Sequence, residues 1–256
     1  MSTDNQTSTG IKSNRTLFRI VESIRNQGTA TVTELANDVG VAKSTAHRHV
    51  ASLHDEEFVI REGNEYRLGL RFLDLGTSVR NRREEYRMMK STTRTLAEET
   101  GELVSFMIEE NGRGVFLYRE RGEQGVESAA HVGKRAHLHT TASGKALLAN
   151  LPGEKIHKII DEHGLPTQTE ATITNKDELL EELDETVERN LAFSIGEYTQ
   201  GLASVGAPVI RPDGEVLGGL SVAGPQHRMT EERFRETIPQ QLLSIVNEFE
   251  LNVTYG

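Results

Sequence analysis

One stretch, residues 31–69, constrains the fold of this chain more than any other: TVTELANDVGVAKSTAHRHVASLHDEEFVIREGNEYRLG. Thr31-Val-Thr-Glu34 has the spacing of a capping box, in which the Thr31 hydroxyl accepts from the amide of Glu34 and the Glu34 carboxylate reaches back. Leu35, Ala36 and Val39 then supply the apolar side of a helix of about two turns. Gly40 supplies the positive φ that ends it, and Val41 plugs the turn against the core. A second helix is predicted from about Ala42 to about His54, because Ala46, Val50 and Leu53 are spaced four and three apart and share one face. Phe58–Ile60 and Glu65–Leu68 are short β-prone runs. Arg61-Glu-Gly-Asn64 joins them, and Gly63-Asn64 favours a tight hairpin turn. Upstream, Leu17, Ile20, Val21 and Ile24 form the stripe of a first helix ending near Gly28. Helix, turn, helix and hairpin in this order describe a winged helix-turn-helix, a module whose second helix enters the major groove of DNA.

Lys43, Ser44, Thr45, His47 and Arg48 fall off the apolar face of that second helix, toward its front. Lysine reaches guanine acceptors, and small hydroxyl residues reach bases or phosphates. Thr33, in the opening turn of the preceding helix, and Arg61 and Arg67 in the wing complete the candidate DNA-contacting set. One departure stands out: the second helix starts on Ala42 and has no strong polar cap. Charge agrees with a local role in DNA contact. Residues 1–83 carry 12 Lys+Arg against 10 Asp+Glu, a net of +2, while the remainder carries 17 against 29, a net of −12. A mildly positive module on an acidic chain allows phosphate contact in one place and repulsion elsewhere.

A chain of 256 residues holds two modest domains. At 36% hydrophobic it can bury cores, but it has no long apolar run to span a membrane and no apolar leader near its start. The absence of cysteine excludes disulfides, thiolate metal sites and cysteine nucleophiles. Cytoplasmic residence is expected. The 8 Lys against 21 Arg, with many carboxylates, point to a GC-rich, salt-adapted source of the haloarchaeal kind.

From Leu70 the pattern turns helical again. Phe72, Leu75 and Val79 are three and four apart, a short seam that suits either a dimer contact or the packing face of a linker helix. Arg80, Arg82 and Arg83 follow. Beyond them, helices are predicted over 84–100, 143–150, 153–163 and 175–190, the last capped by Thr174, with a long helix from about Thr230 closing the chain. Strands are predicted over 103–108, 115–121, 191–197, 203–210 and 216–222, with hairpins among them. The fold class is α+β, with an antiparallel sheet in the second domain. The divisions expected are a disordered lead-in at 1–12, the winged helix-turn-helix at 13–69, a linker helix at 70–84 and the second domain at 85–256.

Three blocks together resemble an IclR-type transcriptional regulator over nearly the whole chain. They are Thr33-Glu-Leu-Ala through Lys-Ser-Thr-Ala-His-Arg to Tyr-Arg-Leu-Gly69, then Leu138-His-Thr-Thr-Ala-Ser-Gly-Lys-Ala-Leu-Leu-Ala149, then Gly201-Leu-Ala-Ser-Val-Gly-Ala-Pro-Val209 with Leu220-Ser-Val-Ala-Gly-Pro225. The resemblance implies a winged helix-turn-helix, a linker helix and a GAF-like effector-binding domain, assembled as a homodimer or tetramer on a double-stranded DNA operator. It also implies where a small-molecule effector sits. The loop positions are Ala142, Ser143 and Gly144, and the strand positions are Ser194, Ser204, Ser221 and Ala223. Some relatives carry an acidic residue at the place of Ser194, a cysteine at Ser204 and a serine at Ala223. The pocket here is therefore less charged and richer in hydroxyls, suited to a small organic or sugar acid or a sugar metabolite. The loop before the 143–150 helix has free amides at the positive end of a helix dipole, which favours an anion.

Other chemistry is disfavoured. Ser143-Gly-Lys-Ala146 lacks the upstream glycine and following hydroxyl of a phosphate-binding loop, and there is no nucleophile elbow or dinucleotide fingerprint. His131, His137 and His139 cluster, but without a neighbouring carboxylate they read as scattered histidines, and neither metal nor other cofactor is expected. No acid–base pair or nucleophile marks an enzyme. The competing readings are a small-molecule-binding protein or enzyme whose winged helix is only a protein interface, and a DNA-organising protein with no effector.

Overall fold

The computed structural model describes residues 10–128 and 130–255. The lead-in expected at 1–12 therefore lies mostly outside the described residues. The chain divides between Arg82 and Arg83 into two compact units.

In the first unit, α1 (Lys12–Gln27) ends at Gly28, where φ is 80°. α2 (Val32–Val39) carries both bonds of the capping box: the Thr31 amide donates to Glu34 Oε2 at 2.7 Å and the Glu34 amide to Thr31 Oγ1 at 3.3 Å. Gly40 stops α2 in the left-handed region, at φ 71°. α3 (Lys43–Asp55) buries Ala46, Val50 and Leu53, the three residues its spacing puts on one face, and Ala42 caps it without a side-chain bond. The wing is β2 (Val59–Glu62) and β3 (Glu65–Leu68). A strand the periodicity does not reveal, β1 (Thr29–Thr31), pairs antiparallel with β3 and makes that strand central, in the order β1-β3-β2. At three residues between two helices it is too short to show an alternation.

α4 (Arg71–Arg80) buries none of its residues. The seam expected at Phe72, Leu75 and Val79 is divided in use. The Phe72 ring packs 4.9 Å from the Phe58 ring, while Leu73, Leu75 and Val79 remain exposed. The helix expected over 70–84 stops at Arg80, and a new one begins at Glu84.

The second unit opens with α5 (Glu84–Thr100), which ends at Gly101 with φ 73°. A six-stranded antiparallel sheet follows, in the order β6-β5-β4-β9-β8-β7. Its strands are β4 (Leu103–Glu110), β5 (Arg113–Arg121), β6 (Arg135–Ala136), β7 (Ala192–Ile195), β8 (Leu202–Ile210) and β9 (Val216–Pro225). α5 and the closing helix α9 (Ile238–Tyr255) bury one sheet face, with Met89, Leu96, Phe106, Val222 and Leu242 in that core. The other face meets α6 (Ala142–Ala149), with α7 (Gly153–His163) and α8 (Lys176–Arg189) around a second core of Met107, Phe116, Leu147, Leu148 and Leu179. Phe106 and Met107 thus serve opposite cores, as neighbours in a strand must.

Two local expectations are corrected. α8 is capped by Asn175, not Thr174: its Oδ1 accepts from the amides of Asp177 and Glu178 at 2.8 and 3.1 Å. The start lies one residue later because Asn175 is the residue with extended backbone and an oxygen in reach of both free amides. The helix from Thr230 is not uniform either, since a π-helical turn at Arg233–Thr237 precedes α9.

Candidate functional site

In the first unit, the front of α3, the start of α2 and the wing enclose an open concave surface. Thr31, Val32, Thr33, Lys43, Ser44, His47, Arg48, Arg61, Asn64 and Tyr66 line it. Lys43, His47 and Arg48 are exposed, and among the described residues none makes a side-chain hydrogen bond or ion pair. They are cationic or polar ends left to solvent. Arg61 donates from Nε to the Gly63 carbonyl at 2.9 Å, with its guanidinium 5.9 Å from the Tyr66 ring. Two expected members stand apart. Arg67 follows Tyr66 in β3 and so takes the other side of the hairpin, where it pairs with Glu62 at 2.6 Å. Thr45 is half-buried and does not line the surface.

In the second unit, the loop before α6 lies over the sheet. The Thr141 hydroxyl accepts from the Gly144 amide at 2.9 Å and caps α6. The helix start can lie directly on the strands because glycines face it. A Cβ on Gly219 would fall 2.0 Å from the Ser143 carbonyl oxygen, and one on Gly206 2.5 Å from Ala142 backbone atoms. Beside this contact a cleft opens, with about 490 Å³ of atom-free space, part of it open to solvent.

Strand register brings its polar floor together. Ser194 is opposite Ser204, Ser204 opposite Ala223, and Ala223 opposite Leu103, one row across β7, β8, β9 and β4. Two residues back on β9, Ser221 faces Ser105. Ala142, Ser143, Ser194, Ser204, Ser221 and Ala223 all line the cleft. Gly144 does not: it is turned toward the Leu138 carbonyl, 2.2 Å from where its Cβ would be.

Several lining residues escape a reading of the sequence: Ser105, Phe116, Arg119, Thr141, Glu197, Tyr198 and Thr199. Arg119 is the cation of the cleft. Its Nε donates to Ser105 Oγ at 3.2 Å, it also donates to the Ala130 carbonyl, and its guanidinium lies 4.9 Å from the Phe116 ring centre. Burial lowers its pKa. Tyr198 meets Phe116 edge-on at 6.0 Å, and burial raises its phenol above its usual value. The histidines lie elsewhere. His137 and His139 have ring centroids 5.6 Å apart and His131 bonds the Val132 carbonyl. Among the described residues no three metal-ligating side chains gather.

Two family profiles match this chain: the "IclR helix-turn-helix domain" over residues 17–63 and the "Bacterial transcriptional regulator IclR C-terminal" over residues 79–249. The chain belongs to the IclR family of transcriptional regulators. The HTH-type transcriptional regulator KipR of Bacillus subtilis is 31% identical over 204 residues, 79% of this chain and 82% of KipR. The probable HTH-type transcriptional regulator ArcR of Halobacterium salinarum is 29% identical over 238 residues, 91% of this chain and 90% of ArcR. The crystal structure of Thermotoga maritima IclR superposes with a TM-score of 0.80 at 27% identity, covering 95% of this chain and 98% of that one. The chain thus has the helix-turn-helix and effector-binding domains of an IclR-family regulator. No described helix is long and apolar enough to cross a membrane.

Proposed function

We propose that this IclR-family regulator reads an operator with the α3 and wing surface and senses a small organic or sugar acid in the cleft over its six-stranded sheet. The division of labour follows the two compact units, with 13–69 as DNA reader, α4 as connector and the chain from 85 as sensor. The observation that carries the ligand class is Arg119, a cleft guanidinium with no carboxylate partner among the described residues, set beside a floor of serine hydroxyls. A guanidinium held this way offers charge-assisted hydrogen bonds to a carboxylate. The cleft supports binding over catalysis, because its serines have no histidine among the described lining residues to activate them. Cytoplasmic residence fits a DNA-bound partner.

The unburied α4, with Leu73, Leu75 and Val79 exposed, supports assembly as a homodimer or tetramer. A dimer presents two α3 helices to half-sites about one DNA turn apart. Effector and operator then bias one another by about 1–3 kcal/mol.

The test uses the full-length protein and the DNA upstream of its own gene. Lys43→Ala and Arg48→Ala should each weaken binding in a gel shift and reduce the salt slope by about one unit. Unchanged affinity in both variants removes α3 as the reader. Ser143→Trp should fill the cleft and abolish response to acids that release wild-type protein from DNA, with DNA affinity retained. A Ser143→Trp protein that still responds places the effector elsewhere.

A further inference from the structure

Glu197 is a cleft residue with one oxygen satisfied and one not. The residue is 7% exposed. Its Oε1 accepts from Lys145 Nζ at 2.9 Å, while its Oε2 is out of contact with solvent and has no hydrogen-bond partner. Lys145 also serves Glu182 Oε1 at 3.1 Å, so two carboxylates share one ammonium and neither of its bonds reaches Glu197 Oε2. The Ile195 backbone also acts on the carboxyl and lowers its pKa, while Oε2 itself has no hydrogen-bond partner. Burial pushes the Glu197 pKa up, and the attraction of Lys145 only partly offsets it. A buried carboxylate oxygen without a donor is costly, and a ligand that brings one recovers that cost.

Arg119 does not bring it. Its partners are Ser105, the Ala130 carbonyl and the face of Phe116, and it is not among the charges that act on Glu197. The cleft therefore has two separate polar anchors of opposite kind: a cation without an anion, and an acceptor without a donor.

We propose that Glu197 is a specificity residue that takes a hydroxyl donor from the same ligand whose carboxylate Arg119 holds, so that the regulator selects hydroxy acids over plain carboxylic acids of equal size. The inference rests on the cleft being the effector site. A neutral hydroxyl suits the position better than an ammonium, because an ammonium on Oε2 would stand beside the Lys145 ammonium already on Oε1. Among the lining residues Glu197 is the carboxylate, and the serines around it can donate or accept, so they complement either end of a hydroxy acid without choosing it.

The experiment is calorimetric titration of the full-length protein with matched probes: lactate, alanine and propionate, and 4-hydroxybenzoate and benzoate. At least one hydroxy acid should bind wild type about tenfold or more tightly than its plain partner, the expected effect of a hydrogen bond to a charged acceptor. Glu197→Gln, with folding checked by circular dichroism, should bring that ratio to within about threefold of unity. Arg119→Gln should instead weaken both members of a pair alike. Equal binding of hydroxy and plain acids by wild type overturns the role of Glu197 and leaves the carboxylate site standing. Preference for alanine over lactate overturns the hydroxyl in favour of an ammonium. Binding of none of the probes, or binding that ignores Arg119→Gln, overturns the cleft assignment itself and the inference with it. The wild-type ratio decides the matter even if Glu197→Gln fails to fold.

Discussion

Lys145 Nζ lies 2.9 Å from Glu197 Oε1 and 3.1 Å from Glu182 Oε1, and the lysine side chain is only 1% exposed. The pairing ties α6, whose first turn borders the cleft, to the segment after β7 and to α8. A buried ammonium needs such compensation, and so do the carboxylates around it.

Removing the cation leaves the buried Glu197 carboxylate uncompensated, while Glu182, partly exposed, keeps Arg189 at 3.9 Å. Lys145→Met should lower unfolding free energy by about 3–5 kcal/mol in a urea titration. Adding Glu197→Gln to it should restore part of that loss, because one uncompensated charge has gone. A Lys145→Met protein within about 1 kcal/mol of wild type would show that the pair is not the tie the geometry suggests.

The approach of α6 to the sheet gives a second prediction. Gly219→Ala places a methyl group 2.0 Å from the Ser143 carbonyl oxygen, a backbone atom that cannot swing aside. The expected cost is about 1–3 kcal/mol or more, with a shift of Ser143 and loss of acid binding. Gly153→Ala is the control, since its new Cβ meets nothing within 4 Å at the start of α7 and should be neutral or slightly stabilising. Equal behaviour of the two variants would argue against the close contact.

Ala42 has the extended backbone of an N-cap, φ −62° and ψ 142°, but no oxygen to offer the first amides of α3. Ala42→Ser should stabilise the first unit by about 1 kcal/mol. Amide exchange at residues 43–45 without DNA should slow in the variant. If exchange there is already slow in wild type, the first turn needs no cap.

His137 supplies a pH dependence. Burial, then the nearby Arg113, His139 and His163, push its pKa from 6.5 down to about 4. The folded state thus favours the neutral ring, and the proton favours unfolding. The stability this contributes is complete above pH 6.5 and is lost as pH falls toward about 4. His139, also lowered chiefly by burial, acts in the same direction. Urea midpoints measured from pH 7 to pH 4.5 should decline, and less steeply in His137→Asn. Parallel declines in the two proteins would assign the effect to other groups.

How much of this was legible beforehand depends on range along the chain. The capping box at Thr31 and Glu34, the stop at Gly40 and the face of Ala46, Val50 and Leu53 are all fixed within four residues or so, and the structure has them as the spacing implies. The family blocks carried the cleft serines to the right strands. What failed was what depends on neighbours distant in sequence. Phe72 looked like part of a seam until Phe58 claimed it. Arg67, expected at a phosphate, is paired by β3 with Glu62, a partner that spacing alone does not name.

Arg119 is the clearest case. Counting by twos from Phe116 puts Arg119 on the opposite face of β5. Pairing with β4 skips Leu117, since Met107 faces Phe116 and Phe106 faces Tyr118, and this bulge returns Arg119 to the side of Phe116 and the cleft. Glu197, just past β7, met Lys145 only through packing between elements 52 residues apart. The sequence by itself determined where the helices lie, the ends marked by the Thr31 capping box and Gly40, and the DNA-reading module, because caps and apolar spacing act through bonds a turn or two long. Only the tertiary structure decided the polarity of the cleft, because strand register and one extra residue in β5 set which charges face it.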